Sequence, residues 1–77
     1  MIEKMRNGLN LTHVATGYPQ TIELTNTEAY LARDDSSMMN ECWDEMCESV
    51  YKRLGIWIEG NYYVDEIIHD GITMKFH

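Results

Sequence analysis

The residues of this chain that could do chemistry are three histidines, two cysteines and thirteen carboxylates. His13, His69 and His77 are isolated in the sequence, and their spacing matches no zinc or hydrolase motif. Cys42 and Cys47 lie in one predicted helix, about 7.5 Å apart along its axis, which is too far for a disulfide. We therefore predict no catalytic, metal or cofactor site, and we expect a protein that is not an enzyme.

Carboxylates concentrate on one side of that helix, at the i, i+3, i+4 and i+7 spacing of a single helix face. We call these four residues the acidic face: Glu41, Asp44, Glu45 and Glu48. Each i,i+4 pair of like charges costs roughly a few tenths of a kcal/mol, and a helix selected for stability alone would interleave lysines. The pattern indicates either a solvated acidic surface or a surface that contacts a basic partner.

The composition predicts one small acidic domain over residues 1–77, with a formal charge of −7. This charge argues against direct nucleic-acid binding, because the phosphate backbone favours clustered Lys and Arg. It is compatible with a basic protein partner. No apolar stretch resembles a signal peptide or a membrane span, so we expect a cytoplasmic protein that does not bind membranes.

The helix that carries the acidic face is predicted over Ser36–Leu54. Ser36 or Ser37 can cap its start, where Asp34 and Asp35 would favour the positive end of the helix dipole. Gly55 is suited to a left-handed C-cap after Lys52 and Arg53. Its apolar side is formed by Met39, Trp43, Met46, Cys47, Val50 and Leu54.

After Gly55 the period changes to two, which predicts a three-stranded meander over Ile56–Glu59, Tyr62–His69 and Ile72–Phe76. Asp70-Gly71 favours a two-residue type I′ hairpin that would pair His69 with Ile72 and Glu66 with Lys75. Gly60-Asn61 would make a second hairpin. Its register would pair Ile58 with Tyr63 and Trp57 with Val64.

The N-terminal half predicts two short strands, Leu9–Val14 and Gln20–Thr25, joined by a turn over Thr16–Pro19. Residues 26–33 allow two interpretations. Thr25 and Glu28 could form the capping box of a short helix, or the segment could return as a third strand. Residue propensities favour the helix.

Together these elements predict an α+β fold, in which one amphipathic helix packs on a small antiparallel sheet. The sheet consists of the meander and one or two N-terminal strands. The face under the helix would carry Ile56, Ile58, Tyr63, Ile67, Ile72, Met74 and Phe76. The other face would carry Trp57, Tyr62, Val64 and Ile68. That face is too apolar for solvent alone, so it is covered by the N-terminal strands, by a second copy or by a partner.

Size, charge and the lack of catalytic motifs predict a non-enzymatic protein that binds and inhibits a basic, nucleic-acid-binding partner. In size and charge, not in sequence, the chain is similar to phage-type anti-CRISPR or anti-restriction inhibitors, which occupy nucleic-acid-binding sites. Asp34, Asp35 and the acidic face would steer the partner, and Trp57 and Tyr62 would anchor it. The alternative is an assembly module that homodimerises through the second sheet face.

Overall fold

A computed structural model describes residues 5–34 and 41–75. Within these ranges the elements are β1 (Gly8–His13), β2 (Pro19–Glu23), α1 (Asn26–Asp34), α2 (Glu41–Leu54), β3 (Tyr62–His69) and β4 (Ile72–Lys75). The strands form one antiparallel sheet in the order β2-β1-β3-β4, with helix packed against it. The α+β prediction is confirmed.

Local signals predict the start of α1 and the end of α2 correctly. The Thr25 amide donates to Glu28 Oε1 (3.0 Å) and the Glu28 amide donates to Thr25 Oγ1 (3.1 Å), so the capping box starts α1. Residues 26–33 are therefore helix, and the alternative third strand is wrong. Gly55, with a φ of 74°, ends α2 as predicted. The predicted start of α2, including Ser36, Ser37 and Met39, lies outside the described residues.

The hairpin at Asp70-Gly71 forms in the predicted register, with His69 opposite Ile72 and Glu66 opposite Lys75. Both turn residues have positive φ, 53° for Asp70 and 77° for Gly71, as a type I′ turn requires. This part of the predicted meander is confirmed.

The first strand of the predicted meander is wrong, because Ile56–Ile58 is not a strand. The amides of Asn61 and Tyr62 both donate to the carbonyl of Ile58, at 3.1 and 2.9 Å, which makes a helical type of turn instead of a two-residue hairpin. This turn places Ile58 fully inside the core. β1 takes the vacant place beside β3, so Tyr63 pairs with Thr12 and Val64 with Leu11.

One β-bulge decides which β3 side chains face the helices. Asn10 pairs with Glu66 while the next residue, Leu11, pairs with Val64, so Asp65 is the extra residue. Strict alternation along β3 therefore fails. Tyr62 and Val64 lie on the same face as Ile67, and Tyr63 points outward with 62% of its surface exposed. The predicted assignment of Tyr62, Tyr63 and Val64 to sheet faces is thus reversed.

The core lies between this face of the sheet and the two helices. Its buried members are Leu9, Leu11, Ile22, Leu24, Ala29, Ala32, Met46, Cys47, Val50, Ile58 and Ile67. Trp43 packs against them from α2, as the helical spacing predicts. Two residues predicted to be inside, Leu54 and Ile72, are exposed instead. Leu54 is in the last turn of α2, and Ile72 is the first residue of the edge strand β4. Both positions are at the periphery of the core.

The outer face of the sheet is polar where β1, β2 and β3 meet. Asn10 Nδ2 donates to Glu66 Oε1 at 2.7 Å, and Thr21 Oγ1 donates to Asn10 Oδ1 at 2.8 Å. Thr12 Oγ1 donates to Asp65 Oδ2 at 2.6 Å. Tyr62 and Val64 turn inward, whereas Tyr63 is exposed on this outer face.

Candidate protein-interaction surface

The four carboxylates of the acidic face all lie exposed on α2. The helix buries Met46, Cys47 and Val50 in the core, and the carboxylates occupy the opposite side, at about 100° per residue. The core thus fixes the direction of the acidic face. Folding accounts for the apolar side of α2 but assigns no partner to the acidic side.

Ion pairing within the described residues does not neutralise this surface. The two salt bridges found in residues 5–34 and 41–75 are Arg6–Asp70 and Arg53–Glu28, and neither includes a member of the acidic face. Glu48 and Lys52 have the favourable i,i+4 order, yet their charged groups are not within 4 Å in this part of the chain. The carboxylates therefore present their charge to solvent.

A buried ion pair holds α2 against α1. Glu28 is 1% exposed, and its carboxylate accepts hydrogen bonds from the guanidinium of Arg53 and from the hydroxyl of Ser49. Burial raises the pKa of Glu28, but the bonds from Arg53, Ser49 and the Thr25 amide outweigh it and hold the pKa below its ordinary value. Arg53 is thereby paired with Glu28, although about a third of its side chain stays exposed. Sequence spacing gives no signal for this pair.

A groove of about 330 Å³ runs beside the acidic face, between the two helices. Thr27 and Leu31 of α1 form one wall, and Glu45, Glu48, Ser49 and Lys52 of α2 form the other. Two carboxylates of the acidic face therefore border a concave surface. A partner contacting α2 can extend onto α1 along this groove.

Trp57 lies at the C-terminal end of the acidic face, as one of its predicted anchors. It is 41% exposed, and its ring stands perpendicular to that of Tyr51, with centroids 5.8 Å apart. Tyr51 is 53% exposed. Tyr51 was not among the predicted site residues, although its position seven residues after Asp44 and three after Glu48 places it on the same helix side.

Tyr62, another predicted site residue, does not join this surface. Tyr62 is half-buried on the helix-facing side of β3, with its ring edge-to-face against His13 at 5.0 Å. Its assignment as an exposed anchor followed from strict alternation along β3, which the bulge breaks. Asp34 is the last residue of α1. Its side chain and Asp35 lie outside the described residues.

His69 is buried and bonded within the fold. A guanidinium N–H of Arg33 faces its Nδ1 at 3.2 Å, and the ring of Tyr30 packs edge-to-face against it at 4.6 Å. Because arginine can only donate, Nδ1 accepts this hydrogen bond. In the described ranges no group of three His, Cys, Asp or Glu is arranged to hold a metal ion. His77 lies outside them.

Comparisons with known proteins give no further information about this surface. No protein-family model, no curated protein and no solved structure matches the chain. Within the part of the chain that the structure describes, neither helix is long and apolar enough to cross a membrane.

Proposed function

We propose that this chain is a non-enzymatic inhibitor that binds the basic surface of a nucleic-acid-binding protein, in the manner of a phage-type anti-CRISPR or anti-restriction protein. The observation that carries the proposal is the acidic face, which is exposed and outside both salt bridges of the described residues. A partner that supplies Lys and Arg would provide the missing counter-charges.

The spacing of the carboxylates supports charge mimicry. Glu41 and Glu48 are seven residues apart, and each residue rises about 1.5 Å. The four side chains thus present one negative charge per roughly 3.5 Å of helix axis. A single DNA strand presents one phosphate per about 3.4 Å. α2 can therefore offer a basic groove a similar linear density of charge.

The scaffold behind the carboxylates is also suited to binding. The Glu28–Arg53 pair and the buried residues of α2 fix the helix on two sides, so the acidic face is preorganised. A partner then loses little entropy in ordering it. Charge of one sign on a rigid surface favours fast association that weakens as salt concentration rises.

The experiment compares two double charge reversals of equal net charge. Asp44→Lys/Glu48→Lys alters the acidic face, whereas Glu23→Lys/Glu59→Lys alters two exposed carboxylates elsewhere. Each variant changes the formal charge from −7 to −3. Immobilised wild-type protein and both variants are incubated with a bacterial lysate. Proteins that a DNA duplex elutes are identified by mass spectrometry and then purified.

We expect the wild-type protein and the Glu23/Glu59 variant to capture the same nucleic-acid-binding protein and to displace a labelled duplex from it. The Asp44/Glu48 variant should bind at least about tenfold more weakly, which corresponds to about 1.4 kcal/mol. Equal binding by the two variants, or binding that the duplex does not compete with, would refute the proposal. Circular dichroism verifies that both variants are folded.

A further inference from the structure

Two exposed aromatic side chains meet at the C-terminal end of α2, and we call them the aromatic corner: Tyr51 and Trp57. Their ring planes are 88° apart with centroids 5.8 Å apart, so each ring retains accessible surface beside the other. Asn61 Nδ2 donates to the carbonyl of Trp57 at 3.0 Å, which holds the Trp57 backbone in place. The corner is therefore a fixed feature of the described surface.

The aromatic corner is continuous with the acidic face. Around the helix axis Tyr51 lies about 20° from Asp44 and about 60° from Glu48. The surface thus combines flat apolar rings with one carboxylate about one turn away, Glu48, and another about two turns away, Asp44. A side chain that fits both must carry positive charge and have a flat apolar face, which describes the guanidinium of arginine. The ammonium of lysine is compact and strongly hydrated and cannot stack in this way.

We propose that the aromatic corner binds an arginine side chain of the basic partner. The guanidinium stacks on one of the two rings, and its N–H groups are directed to the carboxylate of Glu48. This inference rests on the proposed function, because the acidic face supplies the attraction that brings a basic segment to the corner. It adds a preference for arginine over lysine, which charge alone does not give.

The test uses two labelled peptides of equal length and charge, one alternating arginine with glycine and the other lysine with glycine. Their affinities are measured by fluorescence anisotropy at low salt concentration for the wild-type protein and for Tyr51→Leu and Trp57→Leu. Tyr63→Leu is the matched control, because Tyr63 is an aromatic residue on the outer sheet face that is even more exposed than Tyr51 and Trp57. The Trp57 indole N–H signal is followed by NMR in parallel.

We expect the wild-type protein to bind the arginine peptide about two- to fivefold more tightly, as a solvent-exposed cation–π contact provides. The peptide should shift the Trp57 indole signal. Tyr51→Leu and Trp57→Leu should each reduce the preference, and Tyr63→Leu should keep it. Equal affinities for the two peptides, or a preference that survives both substitutions, would overturn the inference.

The outcomes distinguish failure of the arginine site from failure of the proposed function. If both peptides bind equally and Asp44→Lys/Glu48→Lys weakens both, the arginine site is wrong and the acidic face still binds basic partners. If neither peptide binds, or if the reversal changes nothing, the electrostatic proposal fails and the arginine site fails with it. A wild-type dimer in sedimentation that Trp57→Leu converts to monomer would show that a second copy occupies the corner, which also overturns the inference.

Discussion

Glu28 and Arg53 form an ion pair across the interface of the two helices, 25 residues apart in the sequence. The carboxylate is almost fully buried, whereas the guanidinium keeps about a third of its surface exposed. Ser49 and the Thr25 amide complete the hydrogen bonding of the carboxylate. The pair links the start of α1 to the end of α2, and so it also positions the acidic face.

Removing this buried charge should destabilise the protein. Glu28→Gln leaves Arg53 without its counter-ion and weakens the capping box, so we expect a loss of about 2 kcal/mol in the free energy of unfolding. Urea unfolding measures it. The control is Asp70→Asn, which breaks the exposed Arg6–Asp70 pair and should cost less than about 1 kcal/mol. Equal losses would show that burial does not strengthen the Glu28–Arg53 pair.

The lowered pKa of Glu28 predicts a pH dependence of stability. Because the folded-state pKa is below the unfolded value, near 4.5, the ionised form stabilises the fold fully above that value. This stabilisation is lost as the pH falls through the folded-state pKa. The difference in unfolding free energy between wild-type protein and Glu28→Gln should be constant above about pH 5.5 and shrink at lower pH. A difference that grows on acidification would contradict the assigned direction.

The acidic face should cost stability at Glu45, because neither salt bridge of the described residues offsets the repulsion from its carboxylate neighbours. Glu45 has Glu41 and Glu48 as neighbours at i−4 and i+3, so Glu45→Lys should stabilise the protein by about 0.5 kcal/mol at low salt concentration. High salt concentration should reduce the gain. Glu45→Gln, which removes the repulsion without adding attraction, should give a smaller gain. A destabilised Glu45→Lys would show that folding itself requires this carboxylate.

Asn7 should be a second point of sensitivity, because its buried side chain connects two distant elements. Its Nδ2 donates to Asn26 Oδ1 at the start of α1 (2.7 Å), and its Oδ1 accepts from the Asp70 amide (3.1 Å). We expect Asn7→Ala to cost about 2 kcal/mol and to speed hydrogen exchange at the Asp70 amide. Asn61→Ala, which removes one exposed hydrogen bond, should cost about 0.5 kcal/mol. The reverse order would contradict the bridging role.

Sequence motifs that span only a few residues predicted the parts of the fold that depend on local geometry. Thr25 and Glu28 indicated the start of α1, Gly55 indicated the end of α2, and Asp70-Gly71 fixed the register of one hairpin. Each of these features satisfies its hydrogen bonds within one turn. The exposure of the acidic face was predictable for the same reason, since helical spacing alone places its carboxylates opposite Met46 and Val50.

Contacts between distant segments were not predictable in this way. The sequence between Gly55 and Tyr62 alternates like a strand, but β1 occupies the edge of β3 with which that segment was predicted to pair. Leu9 and Leu11 of β1 face the core. The Glu28–Arg53 pair likewise depends on how the helices pack. Trp57 was predicted as an anchor on a strand. It reaches the surface from a loop instead, where it meets Tyr51.

The last prediction concerns the bulge at Asp65. Because of this bulge, deleting Asp65 and deleting Tyr63 should have very different effects on stability. Without Asp65, β3 would alternate regularly and would keep every observed pair with β1, from Tyr62–His13 to Ile68–Gly8. Deleting Asp65 should therefore preserve the fold and cost about 1 kcal/mol, mainly the Thr12–Asp65 hydrogen bond.

If Tyr63 is deleted instead, no regular alternation along β3 keeps all of its core side chains facing inward. With Ile67 kept inside, alternation would point Asp65 into the core and Val64 out of it, and keeping the bulge would turn Tyr62 outward. We expect this deletion to cost more than about 3 kcal/mol and to broaden the methyl NMR signals of the core. If thermal unfolding ranks the two deletions equally, Asp65 is not the extra residue. The inward positions of Tyr62 and Val64 would then need another cause.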